Sequence, residues 1–245
     1  MIIDAHCHVG QGRWVSQTAE ELLRQMDTAR VDMAVICPVD RQIAVDNREG
    51  NDAMIAACRA HPDRFRGLAV ANPWYGERAE KELKRALAGG LAGLKVHSAR
   101  QGHYVNDEIL DPLLRLVDVV GGFVYLHMGT PEVAMPLEAI DLAYRFPSVS
   151  FILGHCGGVD VHWPLSWEVL ETCPNTLVET SHVAFTGYFE EPVRRFGGSR
   201  FLFGSDSPVG AMEVEKWKLE RLDLPGSEDI FGGNAERLLK GRGVL

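Results

Sequence analysis

The sequence predicts an α/β protein closed into a single (β/α)8 barrel. Three observations lead there. Eight short apolar runs, rich in β-branched and aromatic residues, recur with starts roughly 30 residues apart, the length of one strand–helix unit in such a barrel. Helical patterns fill the gaps between them. No linker, low-complexity tract or charge block divides residues 1–245, so they read as one domain. Strict strand–helix alternation favours a closed barrel, with an open doubly wound sheet as the alternative.

The first run is Ile2-Ile3, continuing into Asp4-Ala5-His6-Cys7-His8. His6 and His8 are two apart, so an extended strand sends both imidazoles from one face. Such a pair at a strand end is suited to a metal of the first transition row. Asp4 shares their parity and is expected to orient or charge-balance them. The later runs are 33–36, 67–70, 93–96, 123–126, 151–153, 176–178 and 201–203.

The helices follow from periodicity and caps. Thr18 and Glu21 have capping-box spacing ahead of Leu22, Leu23, Met26 and Ala29. The pattern over 53–60 stops at His61-Pro62, and His61 reads as a cap. Residues 77–88 carry Glu77/Lys81 and Glu80/Lys84 pairs and end at Gly89-Gly90. Further helices are expected over 109–119, 136–145, 165–171, 190–196 and 213–222. Asn234 is expected to cap a last short helix through 239.

Polar residues fall where the strands end. Strand one ends in His6 and His8, and strand four carries Lys95 and His97. Strand five ends in His127, strand six in His155 and strand eight in Asp206. In a barrel these ends converge at one mouth, where the active sites of this fold sit. A lone strand-end histidine is usually a satisfied core residue. Burying this many polar groups without partners would cost several kcal/mol, so packing alone is a poor explanation. His103 and His162 sit in loop or helix-start contexts, and His182 has a mouth or a surface role open to it. Cys7 and Cys156 have the opposite strand parity to the histidines beside them and read as packing residues.

Composition excludes several classes. Net charge is -9, from 25 Lys plus Arg against 34 Asp plus Glu, which argues against a nucleic-acid or anionic-membrane surface. No apolar run is long enough to span a bilayer, and the N-terminus does not read as a signal peptide. The five cysteines are scattered with no C-x-x-C pair, which disfavours a disulfide framework or a thiolate zinc site. A reducing cytoplasm is the expected setting. Homo-oligomerisation is left open.

Several stretches together resemble the amidohydrolase superfamily, in the branch similar to aminocarboxymuconate-semialdehyde decarboxylase. They are Ile3-Asp4-Ala5-His6-Cys7-His8, Gly93-Leu94-Lys95-Val96-His97, Leu126-His127, Gly154-His155-Cys156-Gly157-Gly158 and Phe203-Gly204-Ser205-Asp206-Ser207-Pro208. The terminal Gly233-Asn234-Ala235-Glu236-Arg237-Leu238 is similar to the family's closing helix. The resemblance implies a TIM barrel in which His6, His8, His127 and Asp206 hold one divalent metal, with Zn2+ expected and Mn2+ or another first-row ion as alternatives. Lys95 is then a free ammonium; the contrary arrangement is a carboxylated Lys95 bridging two ions with His127 and His155 on the second.

The expected activity is hydrolysis of a small anionic amide, ester or lactone by metal-activated water, with Asp206 accepting its proton and His155 assisting. Arg13, Lys95, His97 and Arg100 are the expected substrate contacts, because positive groups near the mouth suit a carboxylate. A decarboxylase using the same site is the alternative. A TatD-like metal-dependent nuclease is a lesser one: Lys95 stands on strand four, and Gly204-Ser205-Asp206-Ser207-Pro208 replaces the late Thr-Asp motif of that group.

Overall fold

In the computed structural model, described over residues 1–158, 163–184 and 187–245, the eight expected strands form one sheet. They are β1 (Ile3–His8), β2 (Met33–Cys37), β3 (Phe65–Val70) and β4 (Gly93–Val96). The series continues with β5 (Phe123–Leu126), β6 (Ser150–Leu153), β7 (Thr176–Glu179) and β8 (Phe201–Leu202). Each pairs parallel with the next in chain order. The segment after β8 then closes on β1. Ala5 N donates to Phe203 O at 2.9 Å, Asp206 N to His6 O at 2.9 Å, and His8 N to Ser207 O at 2.7 Å. The result is a (β/α)8 TIM barrel, and its last seam places Asp206 beside the His6–His8 pair.

Helices return the chain between strands. They include α1 (Ala19–Ala29), α2 (Asn47–Ala60), α3 (Glu77–Ala88), α4 (Asp111–Val119) and α5 (Ala139–Arg145). Then come α6 (Trp163–Thr172), α7 (Gly187–Phe196), α8 (Met212–Glu220) and α9 (Asn234–Arg242). Thr18 forms the predicted capping box: Glu21 N donates to its hydroxyl at 3.1 Å, and Thr18 N to the Glu21 carboxylate at 2.8 Å. His61 caps the C-terminus of α2, as its place before Pro62 suggested. Asn234 does not cap α9. It lies inside the helix, and its amide donates to Gly198 O and Phe201 O, tying the helix to the β8 entrance. His162 lies outside the described residues.

The apolar side chains divide into two layers. Ile3, Ala5, Met33, Val35, Leu68, Phe123, Tyr125 and Leu202 pack inside the barrel. Leu22, Met26, Ala34, Ile36, Leu83, Leu94, Val124 and Phe151 pack between strands and helices. This is the alternation expected of strands buried on both faces. β1 departs from it. Its register against β2 shifts between Asp4 and Cys7, so Ala5 packs with the interior layer and Cys7 with the outer one. The parity that linked Asp4 to His6 and His8 is therefore broken by a bulge.

Candidate functional site

Asp206 is the hub of the barrel mouth. Its Oδ1 lies 3.0 Å from His6 Nε2 and 3.1 Å from His8 Nε2, and its Oδ2 lies 2.8 Å from His182 Nε2. Asp206 and His182 follow β8 and β7 in left-handed backbone, with φ of 54° and 64°. His155, after β6, has φ 56°. Such conformations are costly for residues with a Cβ and concentrate at functional sites. Burial works to raise the Asp206 pKa, but the hydrogen bond with His182 and the closeness of His6 win and hold it well below the carboxylate range.

The donor inventory around Asp206 is short by one positive charge. His8 Nδ1 lies 2.7 Å from Pro38 O, which can only accept, so Nδ1 carries a proton. In neutral His8 the Nε2 lone pair then faces the Asp206 carboxylate. Asp206 Oδ1 has no hydrogen-bond partner although it is buried. In the bare protein a second proton on His8 supplies the missing charge. Burial opposes it, but neighbouring Cys37 and Asp206 raise the His8 pKa to about 10. A divalent cation between the two Nε2 atoms and the carboxylate meets the same need, so the donor set fits a metal. The atoms of His6, His155 and Asp206 also lie close enough together to share an ion.

Opposite this cluster stands a chain of imidazoles. His127 Nδ1 is 3.1 Å from His155 Nε2, and His155 Nδ1 is 2.8 Å from Ser181 Oγ. His97 stacks on His127 with ring centroids 3.8 Å apart. Burial first of all pushes the pKa of His97, His127 and His155 well below the ordinary histidine value, so all three are neutral at pH 7. Lys95 is fully buried beneath them. Its Nζ lies 3.2 Å from His6 Nε2 and 4.0 Å from the Tyr125 ring centre, and burial lowers its pKa.

A cavity of about 210 Å³ opens above these groups, lined by His8, Val39, His97, Arg100, His127 and Asp206 among others. Arg100 pairs with Asp40 at 3.0 Å. The other Asp40 oxygen accepts from Trp14 N at 2.9 Å and Val15 N at 3.3 Å, so one carboxylate ties Arg100 to the loop after β1. Arg13 stands apart, exposed with its guanidinium over Trp14. The fold thus gathers His6, His8, Lys95, His97, Arg100, His127, His155 and Asp206, and leaves Arg13 at the rim.

Five residues at or beneath the mouth had no signal, or an ambiguous one, in the sequence. Cys37, at the end of β2, lies 3.3 Å from His8 Nδ1 and 3.8 Å from His6 Nδ1. His182 binds Asp206, and Asp40 binds Arg100. Glu179 and Ser181 lie under His155. Strand-end position was the available clue for Cys37 and Glu179. Asp4 does not touch the imidazoles. It accepts from His6 N and Ser205 N at 3.0 Å each, so it orients the pair through backbone.

A sequence-family profile described as Amidohydrolase matches residues 3–241. The chain belongs to the amidohydrolase family. No curated protein matches this amidohydrolase by sequence. Among solved structures it is similar to 5-carboxyvanillate decarboxylase of Novosphingobium aromaticivorans, complexed with manganese and 4-hydroxy-3-methoxy-5-nitrobenzoic acid. That likeness has TM-score 0.80 and 18% identity over 98% of this chain and 96% of the other. It is similar to 2,6-dihydroxybenzoate decarboxylase from Rhizobium, with TM-score 0.76 and 18% identity over 98% of each chain. A dihydroxybenzoic acid decarboxylase of a Polaromonas species, with manganese and 2-nitroresorcinol, gives TM-score 0.76 and 18% identity over 98% of this chain and 96% of that one.

Proposed function

We propose that this amidohydrolase is a metal-dependent decarboxylase of a small, single-ring aromatic acid. The observation that carries the reading is the cavity above Asp206, which sets one guanidinium, Arg100, among neutral imidazoles beside a carboxylate that needs a cation. The fold neighbours that decarboxylate hydroxylated aromatic acids support it over hydrolysis of an amide, ester or lactone.

His6, His8, His127 and Asp206 would hold one divalent ion, either the expected Zn2+ or the Mn2+ found in the neighbours. When bound, the ion supplies positive charge that holds the substrate's oxygens and stabilises negative charge developing on the ring. The reaction breaks the bond between ring and carboxylate, releases carbon dioxide and places one proton on the ring carbon. His97 and Arg100 bind and orient the anion; the Arg100 fork suits a carboxylate or phenolate. His155 Nε2 accepts from His127 Nδ1, which connects the buried imidazole to the cavity wall. Lys95 stays uncarboxylated under His6, fully buried at the floor of the site.

The test is a panel of hydroxybenzoates, lactones and amides incubated with protein loaded with Mn2+ or Zn2+. Carbon dioxide release from a hydroxybenzoate, with solvent deuterium on the ring carbon, is the expected result. Hydrolysis of a lactone or amide with no carbon dioxide from any acid would overturn it.

A further inference from the structure

Beneath His155 lies a buried polar cluster. Glu179, at the end of β7, is fully buried and accepts from four donors. Tyr125 Oη donates to its Oε2 at 2.6 Å, Ser181 Oγ at 3.0 Å and His155 N at 3.1 Å, while Ser181 N donates to Oε1 at 2.5 Å. A buried carboxylate costs several kcal/mol unless it is paired or hydrogen-bonded; these donors offset that cost without a cation.

The direction of each bond follows from what each atom can do. The Ser181 hydroxyl proton is committed to Glu179, which only accepts. Ser181 Oγ, 2.8 Å from His155 Nδ1, must then accept there, so Nδ1 carries the imidazole proton. His155 Nε2 is left with its lone pair, which accepts from His127 Nδ1 at 3.1 Å. That in turn leaves the His127 Nε2 lone pair free. The protons run one way, from His127 to His155 to Ser181 to Glu179.

Two glycines of the motifs around His155 and Asp206 belong to this cluster. A Cβ on Gly154 would overlap the Tyr125 hydroxyl, and one on Gly204 would overlap the Glu179 carboxylate. Both positions are kept bare by the anchor beneath the site rather than by anything in the cavity.

We propose that Glu179, acting through Ser181, is the positioning residue that fixes the tautomer and ring orientation of His155, and through it those of His127. The tautomer assignment stands on geometry alone; its value to turnover rests on the decarboxylase reading above. The experiment uses full-length protein labelled with 15N-histidine and loaded with diamagnetic Zn2+. Long-range 1H–15N spectra report which nitrogen of each ring is protonated, and His155→Asn assigns the resonances. The wild type is expected to show His155 protonated at Nδ1. Ser181→Ala should mix or reverse that tautomer with zinc content unchanged, and lower kcat by roughly 10–100-fold with KM less affected, the usual scale for a partner that orients a site residue. Ser181→Thr, which keeps a hydroxyl, should restore the signature. Glu179→Gln, if it folds, should do as Ser181→Ala does. Unchanged His155 resonances in Ser181→Ala would overturn the proposal. A shifted tautomer together with full turnover in His155→Asn leaves the anchor standing and removes only the catalytic reading.

Discussion

The two sides of the barrel mouth differ in how they balance their hydrogen bonds. On the β1–β8 side, His6 Nε2 and His8 Nε2 converge within 3.1 Å of Asp206 Oδ1, and in neutral His8 lone pair meets lone pair. On the β5–β7 side, His127, His155, Ser181, Tyr125 and Glu179 match each acceptor with a donor. The first side is incomplete without a positive charge. The second is complete in the protein itself from His127 Nδ1 inward, and leaves only His127 Nε2 open to the mouth. Two clusters of similar residue types can therefore have opposite requirements, and the hydrogen-bond partner of each ring nitrogen decides which.

The largest expected effect follows from breaking the incomplete side. His6→Ala with His8→Ala should abolish both metal binding and turnover, measured by elemental analysis of protein dialysed against excess metal and reloaded. The fold should survive, because the barrel is held by its two apolar layers. Normal metal content in the double variant would refute the ligand assignment. Chelation of the wild type should likewise abolish turnover, and Mn2+ or Zn2+ should restore it.

A different signature is expected across the mouth. His155→Asn should keep its metal and lose roughly 10²–10⁴-fold in turnover, the range typical of a general acid or base. Loss of metal instead would make His155 a ligand, as its closeness to His6 and Asp206 permits, and would erase the contrast between the two sides.

Much of this arrangement was legible in the sequence because strand period and strand ends carry it. All eight strands form, and His6, His8, His127, His155 and Asp206 meet at one mouth. Asp4 was misplaced because a bulge is invisible to a period-two count. His182 reaches Asp206 only through a left-handed turn, which no side-chain pattern announces. Glu179 sits in a four-residue strand where a single acidic residue looks like a strand edge. Its role arises from Tyr125 and Ser181, which are partners only in the fold.

The same contrast separates the two arginines nominated for substrate. Both are exposed, but Arg100 lines the cavity and is held by Asp40, whereas Arg13 stands over Trp14 at the rim. Arg100→Met should raise KM for the acid by ~10–100-fold with kcat less affected. A hydrogen bond to a charged group contributes about 1.5–3 kcal/mol, and each 1.4 kcal/mol is about tenfold. An unchanged KM would remove Arg100 from the substrate contacts.

Arg13→Ala tests the weaker end. An exposed guanidinium is screened within a Debye length of about 8 Å at physiological ionic strength, so at the rim it steers an anion rather than holding it. The expected change is a fall in kcat/KM of at most a few-fold at low salt, vanishing above roughly 0.5 M salt as screening shortens its reach. The Arg100→Met defect should be less sensitive to salt, because that guanidinium, held by Asp40 at the cavity wall, meets the anion in direct contact rather than at a distance. A salt-independent loss in Arg13→Ala as large as that in Arg100→Met would place Arg13 over the cavity in the substrate complex. The loop after β1, tied down by Asp40 through Trp14 N and Val15 N, would then have to fold inward when substrate binds.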